Sequence, residues 1–239
     1  MDSQSRFERR KVGPMVAQAQ RKKLFGRGRT IHGNVVLNFM GRPETDFGIY
    51  GVAFWRAGRT LANSLAGHRG YRDFDACPIV FLYRHALELY MKAIVRRGRS
   101  LVSLAGEKLP FEPRSLNRHE LVPLLEPVHF IFKHVGWTWK TEVDGVKTFS
   151  QFKARVRELD RLGTAFRYPV DTKGQSIVSK HFVFNVLEFA RQLEGAIRLL
   201  DGAVTGLEEE WDLQASAAYE RQQSSKSSMD PLQRIKLRP

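Results

Sequence analysis

Phe81-Leu82-Tyr83-Arg84-His85-Ala86-Leu87-Glu88-Leu89-Tyr90-Met91-Lys92 reads as the middle of an amphipathic helix. At 100° per residue, Leu82, Tyr83, Ala86, Leu87, Leu89, Tyr90, Ala93 and Ile94 cover an arc of about 160°, and Arg84, His85, Glu88 and Lys92 take an opposite arc of about 100°. Pro78 suits a first helical turn and Gly98 a stop, so the pattern predicts a helix over 78–97. Arg84, Glu88 and Lys92 fall at i, i+4 and i+8, where each can pair with the next. On an exposed face such a ladder contributes roughly a few tenths of a kcal/mol per pair. His85 beside these charges, and Phe81 near the same arc, point instead to a polar cleft.

Further helices are predicted on either side. Ile49, Val52, Trp55, Leu61 and Leu65 recur at helical spacing over 47–65, after the possible caps Thr45 and Asp46. Residues 99–118, with Gly106, Pro110, Pro113 and several serines, suit a connecting loop. A helix is expected from near Asn117 through Leu124 and Leu125, with Pro123 and Pro127 able to break it into short pieces. Residues 128–143 are aromatic and ambiguous, either helix then loop or a small hairpin closed near Asp144-Gly145. Phe152, Val156, Leu159, Leu162 and Phe166 predict a helix over 149–166, ended by Pro169. Residues 176–213 give one long helix or two abutting ones. About five helices and few strand signals make the fold class all-α, an antiparallel four- to five-helix bundle.

Charge divides the chain into a basic flexible arm (1–33), a helical domain (34–213) and a disordered basic tail (214–239). The formal net charge is +14 over 239 residues. The first 33 residues hold nine Lys or Arg, among them Arg9, Arg10, Lys22, Lys23, Arg27 and Arg29, against Asp2 and Glu8. Five more, against two acids, follow residue 213. Basic ends of this kind neutralise phosphates and release counterions, or simply keep a protein soluble. The single cysteine, Cys77, excludes an intrachain disulfide framework and an all-cysteine metal site, and fits a cytoplasmic location. No apolar run approaches a membrane span and no secretion signal opens the chain. Phosphate loops, His-Glu-x-x-His and Gly-x-Ser-x-Gly are missing, so no metal site or cofactor is expected.

Two further clusters carry possible chemistry. Arg114-Ser115-Leu116-Asn117-Arg118-His119 places an arginine five residues before a histidine, which itself precedes Glu120-Leu121 at an expected helix start. The imidazole can cap or pack under the loop, or it can move a proton while the arginine stabilises a phosphorane-like charge. Phe166-Arg167-Tyr168-Pro169-Val170-Asp171 sits at an expected helix end. Arg167 can clamp a carboxylate such as Glu88, Glu158 or Asp160, or hold a phosphate while Tyr168 stacks on a base.

With these strings in order, the chain resembles the HEPN superfamily of small helical nucleotide-binding domains. The resemblance is carried by Phe81-Leu82-Tyr83-Arg84-His85-Ala86-Leu87-Glu88-Leu89-Tyr90-Met91-Lys92, by His119-Glu120-Leu121 and by Phe166-Arg167-Tyr168-Pro169, over roughly residues 45–205. It implies an antiparallel helical bundle, often a dimer, in a family of RNases from toxin–antitoxin, CRISPR-linked and antiphage systems and their non-catalytic relatives. Active members carry Arg-x(4–6)-His at a late helix. Here the match, Arg114 to His119, falls at the earlier His-Glu-Leu position.

The expectation is therefore an RNA- or nucleotide-binding protein whose catalytic form is a metal-independent ribonuclease of bacterial defence or toxin–antitoxin systems. Arg84, His85, Arg114 and His119 would form the catalytic cleft. Arg167, Tyr168, Lys92 and the N-terminal arm would bind nucleic acid, and Glu88, Glu158, Asp160 and Asp171 would orient the arginines. RNA or another polyanion is the expected ligand, with a second copy or another protein as partner. The alternative is a non-catalytic interaction subunit that docks on a nucleic-acid-bound partner.

Overall fold

The structure, a computed structural model, describes residue 35 and residues 43–67, 72–162, 166–170, 173–177 and 182–227. The basic arm, with Arg9, Arg10, Lys22, Lys23, Arg27 and Arg29, lies outside the described residues, as do Asp171, His181 and residues 228–239. Among the described residues five α-helices follow one another: α1 Pro43–Gly67, α2 Ala76–Leu104, α3 Val122–His134, α4 Phe149–Arg161 and α5 Val186–Ser227. Two short 3-10 turns, Asp73–Asp75 and Pro113–Asn117, punctuate the connections. The described residues hold no strand beyond an isolated Val170–Ser176 bridge, and the fold is the expected all-α bundle.

Helix α2 is the axis. Its apolar arc, from Ile79 through Leu87, Tyr90 and Ile94 to Val102, is buried, and so are Arg84, Glu88 and Lys92 on the opposite arc. An interior helix packs neighbours on every side, so its polar stripe faces protein instead of water.

Three ties set the register between α2 and α5. The Tyr83 hydroxyl donates to Glu194 Oε1 at 2.7 Å, the Tyr90 hydroxyl to Asp201 Oδ1 at 2.9 Å, and Arg97 Nη2 pairs with Glu208 at 2.8 Å. Both sets advance by seven residues in the same direction, so α2 and α5 run parallel with matched two-turn repeats. Helix α1 runs the other way. Its Gly58 meets Tyr83, Gly51 meets Tyr90, and Gly48 approaches Val204 and Arg97. Small residues here let backbone approach the flat faces of the two tyrosines. The bundle thus mixes directions where a purely antiparallel one was expected, because the connection over 105–121 carries the chain from the end of α2 back to Arg84 before α3 starts.

Several boundaries depart from the sequence pattern. Gly98, expected to stop α2, is inside it, and a Cβ there would lie 2.5 to 2.7 Å from three side-chain atoms of Ile131 on α3. Glycine is used at this point for close helix approach, and α2 continues to Leu104. Pro123 and Pro127 do not fragment α3: Pro123 lies in the first turn, where no helical donor is needed, and Pro127 is accommodated within one 13-residue helix. The aromatic stretch resolves as helix then loop, with Gly145 at φ +85° in the turn and the Trp139 indole donating to the Val146 carbonyl at 3.0 Å. Thr148 and Gln151 form a reciprocal capping box on α4, which ends at Arg161, well before Pro169. Asn185 Oδ1 accepts from the Leu187 and Glu188 amides and starts α5 later than expected. That helix runs on to Ser227, through a stretch expected to be tail.

Gly98→Ala should destabilise the fold by about 1–3 kcal/mol through overpacking against Ile131. Adding Ile131→Val should restore part of the loss in chemical unfolding. Equal midpoints for wild type and Gly98→Ala would show that the helices are not held this close.

Candidate polar site around Glu88

Of the residues expected in the cleft, Arg84, His85, His119, Glu88 and Asp160 come together, and Arg114 and Arg167 do not join them. Glu88 is 1% exposed and holds four basic groups on its two oxygens. Oε1 accepts from Lys92 Nζ at 2.8 Å and meets His119 Nδ1 at 2.9 Å. Oε2 accepts from Arg84 Nη1 at 3.3 Å and lies 3.8 Å from His85 Nδ1. Burial alone would raise the Glu88 pKa. The nearby His85 imidazole, the hydrogen bonds from Lys92 and His119 and the charge of Lys92 outweigh it and bring the carboxyl down to about 2.

Arg84 connects this centre to two other segments. Its Nη2 donates to Asp160 Oδ1 at 2.9 Å and to the His119 carbonyl at 2.6 Å, while its buried Nε has no partner among the described residues. Asp160 Oδ2 in turn accepts from the Leu121 and Val122 amides at 3.1 and 3.2 Å. A carboxylate from α4 thus caps α3 across the chain, where its charge also suits the positive end of the helix dipole. The two carboxylates do orient an arginine as expected, and that arginine is Arg84.

The two histidines sit in different surroundings. His119 is in the loop just before α3, not in its first turn, and its side chain is 65% exposed. Because Nδ1 is engaged by Glu88, Nε2 is the nitrogen left for a ligand. His85 is held between two rings, edge-on to Phe54 at 4.5 Å and stacked on Phe81 at 5.7 Å. Phe54, on α1, was not singled out from sequence; its partner is 31 residues away and only the packing of α1 on α2 joins them.

The other expected residues are placed as follows. Lys92 is 4% exposed and committed to Glu88, which corrects its assignment to a phosphate-binding surface. Arg114 is exposed on the 3-10 turn and makes no hydrogen bond to the cluster. Arg167 lies over the rings of Phe81 and Tyr168, 5.9 Å from each centroid, and makes no ion pair with Glu88, Glu158 or Asp160. Tyr168 is 60% exposed beside it. Glu158 is on the outside of α4, paired with Arg155 at 3.1 Å. No group of three or more acids, histidines or cysteines able to hold a metal occurs among the described residues, and none of their helices is long and apolar enough to cross a membrane.

The sequence and the structure match no family model, no curated protein and no solved structure. The arrangement is a helical bundle in which a buried carboxylate holds a largely exposed imidazole. Such a pair can orient a histidine and fix its tautomer.

A carboxyl held down to about 2 in the fold and near 4.5 when unfolded contributes stability that is complete above pH 4.5. It is lost as pH falls toward 2, by on the order of 3 kcal/mol in all. Glu88→Gln should therefore lower stability at pH 7 and flatten its dependence between pH 5 and 2 in urea titrations. Parallel acid profiles for the two proteins would contradict the placement of this charge.

Proposed function

We propose that the protein is a HEPN-like RNA-binding protein, and that the Glu88–His119 pair makes it a metal-independent endoribonuclease of a bacterial defence or toxin–antitoxin system. The observation that carries this reading is an exposed imidazole whose inner nitrogen is anchored on a buried carboxylate, Nδ1 to Oε1 at 2.9 Å. His119 Nε2 would take the proton from a ribose 2′-hydroxyl as its oxygen attacks the adjacent phosphorus. The P–O5′ bond would break as the 5′-oxygen takes a proton from water, giving a 2′,3′-cyclic phosphate and a 5′-hydroxyl end, and the imidazolium would return its proton to solvent. Arg84 is committed to Glu88, Asp160 and the His119 carbonyl, so it positions the histidine, and charge on the phosphorane falls to exposed guanidinium groups such as Arg114. The net charge of +14 favours a polyanionic substrate, and a second copy or a partner protein would complete the cleft.

A second reading has its own support. Arg84 and Asp160 tie α2, α4 and the start of α3 together, which a purely structural clamp would also require. In that case the chain is a non-catalytic interaction subunit that docks on a nucleic-acid-bound partner.

Purified protein incubated with total RNA at low and high salt separates the two. Cleavage to cyclic-phosphate ends, reduced about 100-fold or more in His119→Ala, is the expected result. Because the imidazole is largely exposed, that variant should stay folded by circular dichroism. Salt-sensitive binding without cleavage, unchanged in His119→Ala, would establish the interaction subunit instead.

A further inference from the structure

Helices α3 and α4 pair antiparallel, as Asp160 meets Leu121, Lys153 meets Glu126, and Phe149 meets His129. Between them lies a cleft of about 450 Å³ lined by His129, Phe149, Ser150, Lys153, Ala154 and Arg157. His129 and Phe149 stack with centroids 4.2 Å apart and planes within 9°. Lys153 and Arg157 stand one turn apart on α4, and Lys133 stands one turn beyond His129 on α3. Lys153 is held by Glu126 at 2.6 Å, whereas Lys133 and Arg157 are exposed and without ion-pair partners among the described residues.

Around His129 the ammonium groups of Lys133 and Lys153 face one acid, Glu126. The His129 pKa is lowered, first by burial and then by Lys133, with Lys153 adding to it and Glu126 opposing. An imidazole kept neutral among ammonium groups is a poor cation, and its flat ring stays suited to stacking. His119 lies three residues before α3 and His129 seven residues beyond its start, so about 10 Å of helix and a short stretch of loop separate the cleft from His119.

We infer that the α3–α4 cleft is a track for single-stranded RNA leading to His119, with Lys133 and Arg157 on backbone phosphates and the His129–Phe149 pair offering a stacking edge to a base. The track rests on the RNA-binding reading above. Cationic grooves interleaved with aromatic rings are how single strands are held with little sequence preference. The assignment moves phosphate binding from Lys92, which is buried, to cations on the neighbouring helices that are exposed.

The test uses the full chain and a fluorescein-labelled oligouridine, with anisotropy read at several salt concentrations. Lys133→Gln with Arg157→Gln should weaken binding about tenfold or more and reduce the slope of log affinity against log salt by about 1.4, the loss of two single-strand phosphate contacts. Arg198→Gln with Arg221→Gln, the same charge change on α5, should change affinity less than about twofold if binding is local and not a sum over all surface charge. Equal loss in the two double variants would overturn the track. Cleavage is scored separately: track-dependent binding with no cleavage would sink the ribonuclease reading and leave the track standing, and His119-dependent cleavage indifferent to Lys133 and Arg157 would do the reverse.

Discussion

A carboxylate buried to 1% exposure at the middle of the central helix is tolerable only if everything around it is arranged to neutralise it. Glu88 meets that condition with Lys92 and Arg84 from its own helix and His119 from the chain entering α3. Each partner is then constrained in turn. Arg84 has donors left over, and these reach Asp160 and the His119 carbonyl. Asp160 has an oxygen left over, and it caps α3. Removing Arg84 or Lys92, both buried, leaves the Glu88 charge poorly compensated, and breaking a buried pair of this kind typically costs about 3–5 kcal/mol. The same network that holds α2, α3 and α4 together is therefore what holds the exposed imidazole in place.

On the other side of α2 a different device sets the register. Tyr83, Tyr90 and Arg97 meet Glu194, Asp201 and Glu208, each set at seven-residue intervals. Burial and the neighbouring carboxylates push both phenols above their usual range, so they remain donors throughout the physiological pH range. A one-turn slip of α5 would leave all three acids without their partners. The glycines of α1 close the third side by letting its backbone rest on the tyrosine rings. The Glu88 network thus sits on a helix whose position is fixed from behind.

Much of the fold was legible because periodicity is a local property. The apolar arcs of α1, α2 and α4 predicted their existence, and the grouping of Arg84, His85 and Glu88 followed from spacing on one helix. Their union with His119 rested on resemblance, and the structure brings that residue to Glu88. Boundaries were less legible. Gly98 looks like a stop in sequence and acts as a contact in space, because the same lack of a side chain serves both purposes. Lys92 looked like a surface cation because a polar stripe on one helix does not reveal what packs against it. The seven-residue match between α2 and α5 is present in both segments of sequence, yet nothing in either says that they are neighbours.

By itself the amino-acid sequence determined the helical class, the basic surplus and the residue types available for chemistry, since these follow from composition and from contacts within a few turns. Tertiary structure alone decided which charges are buried, which nitrogen of His119 faces outward, and that Arg167 rests on Phe81 instead of joining a carboxylate. Those outcomes depend on pairs separated by thirty to more than a hundred residues, whose meeting is settled by how the helices pack.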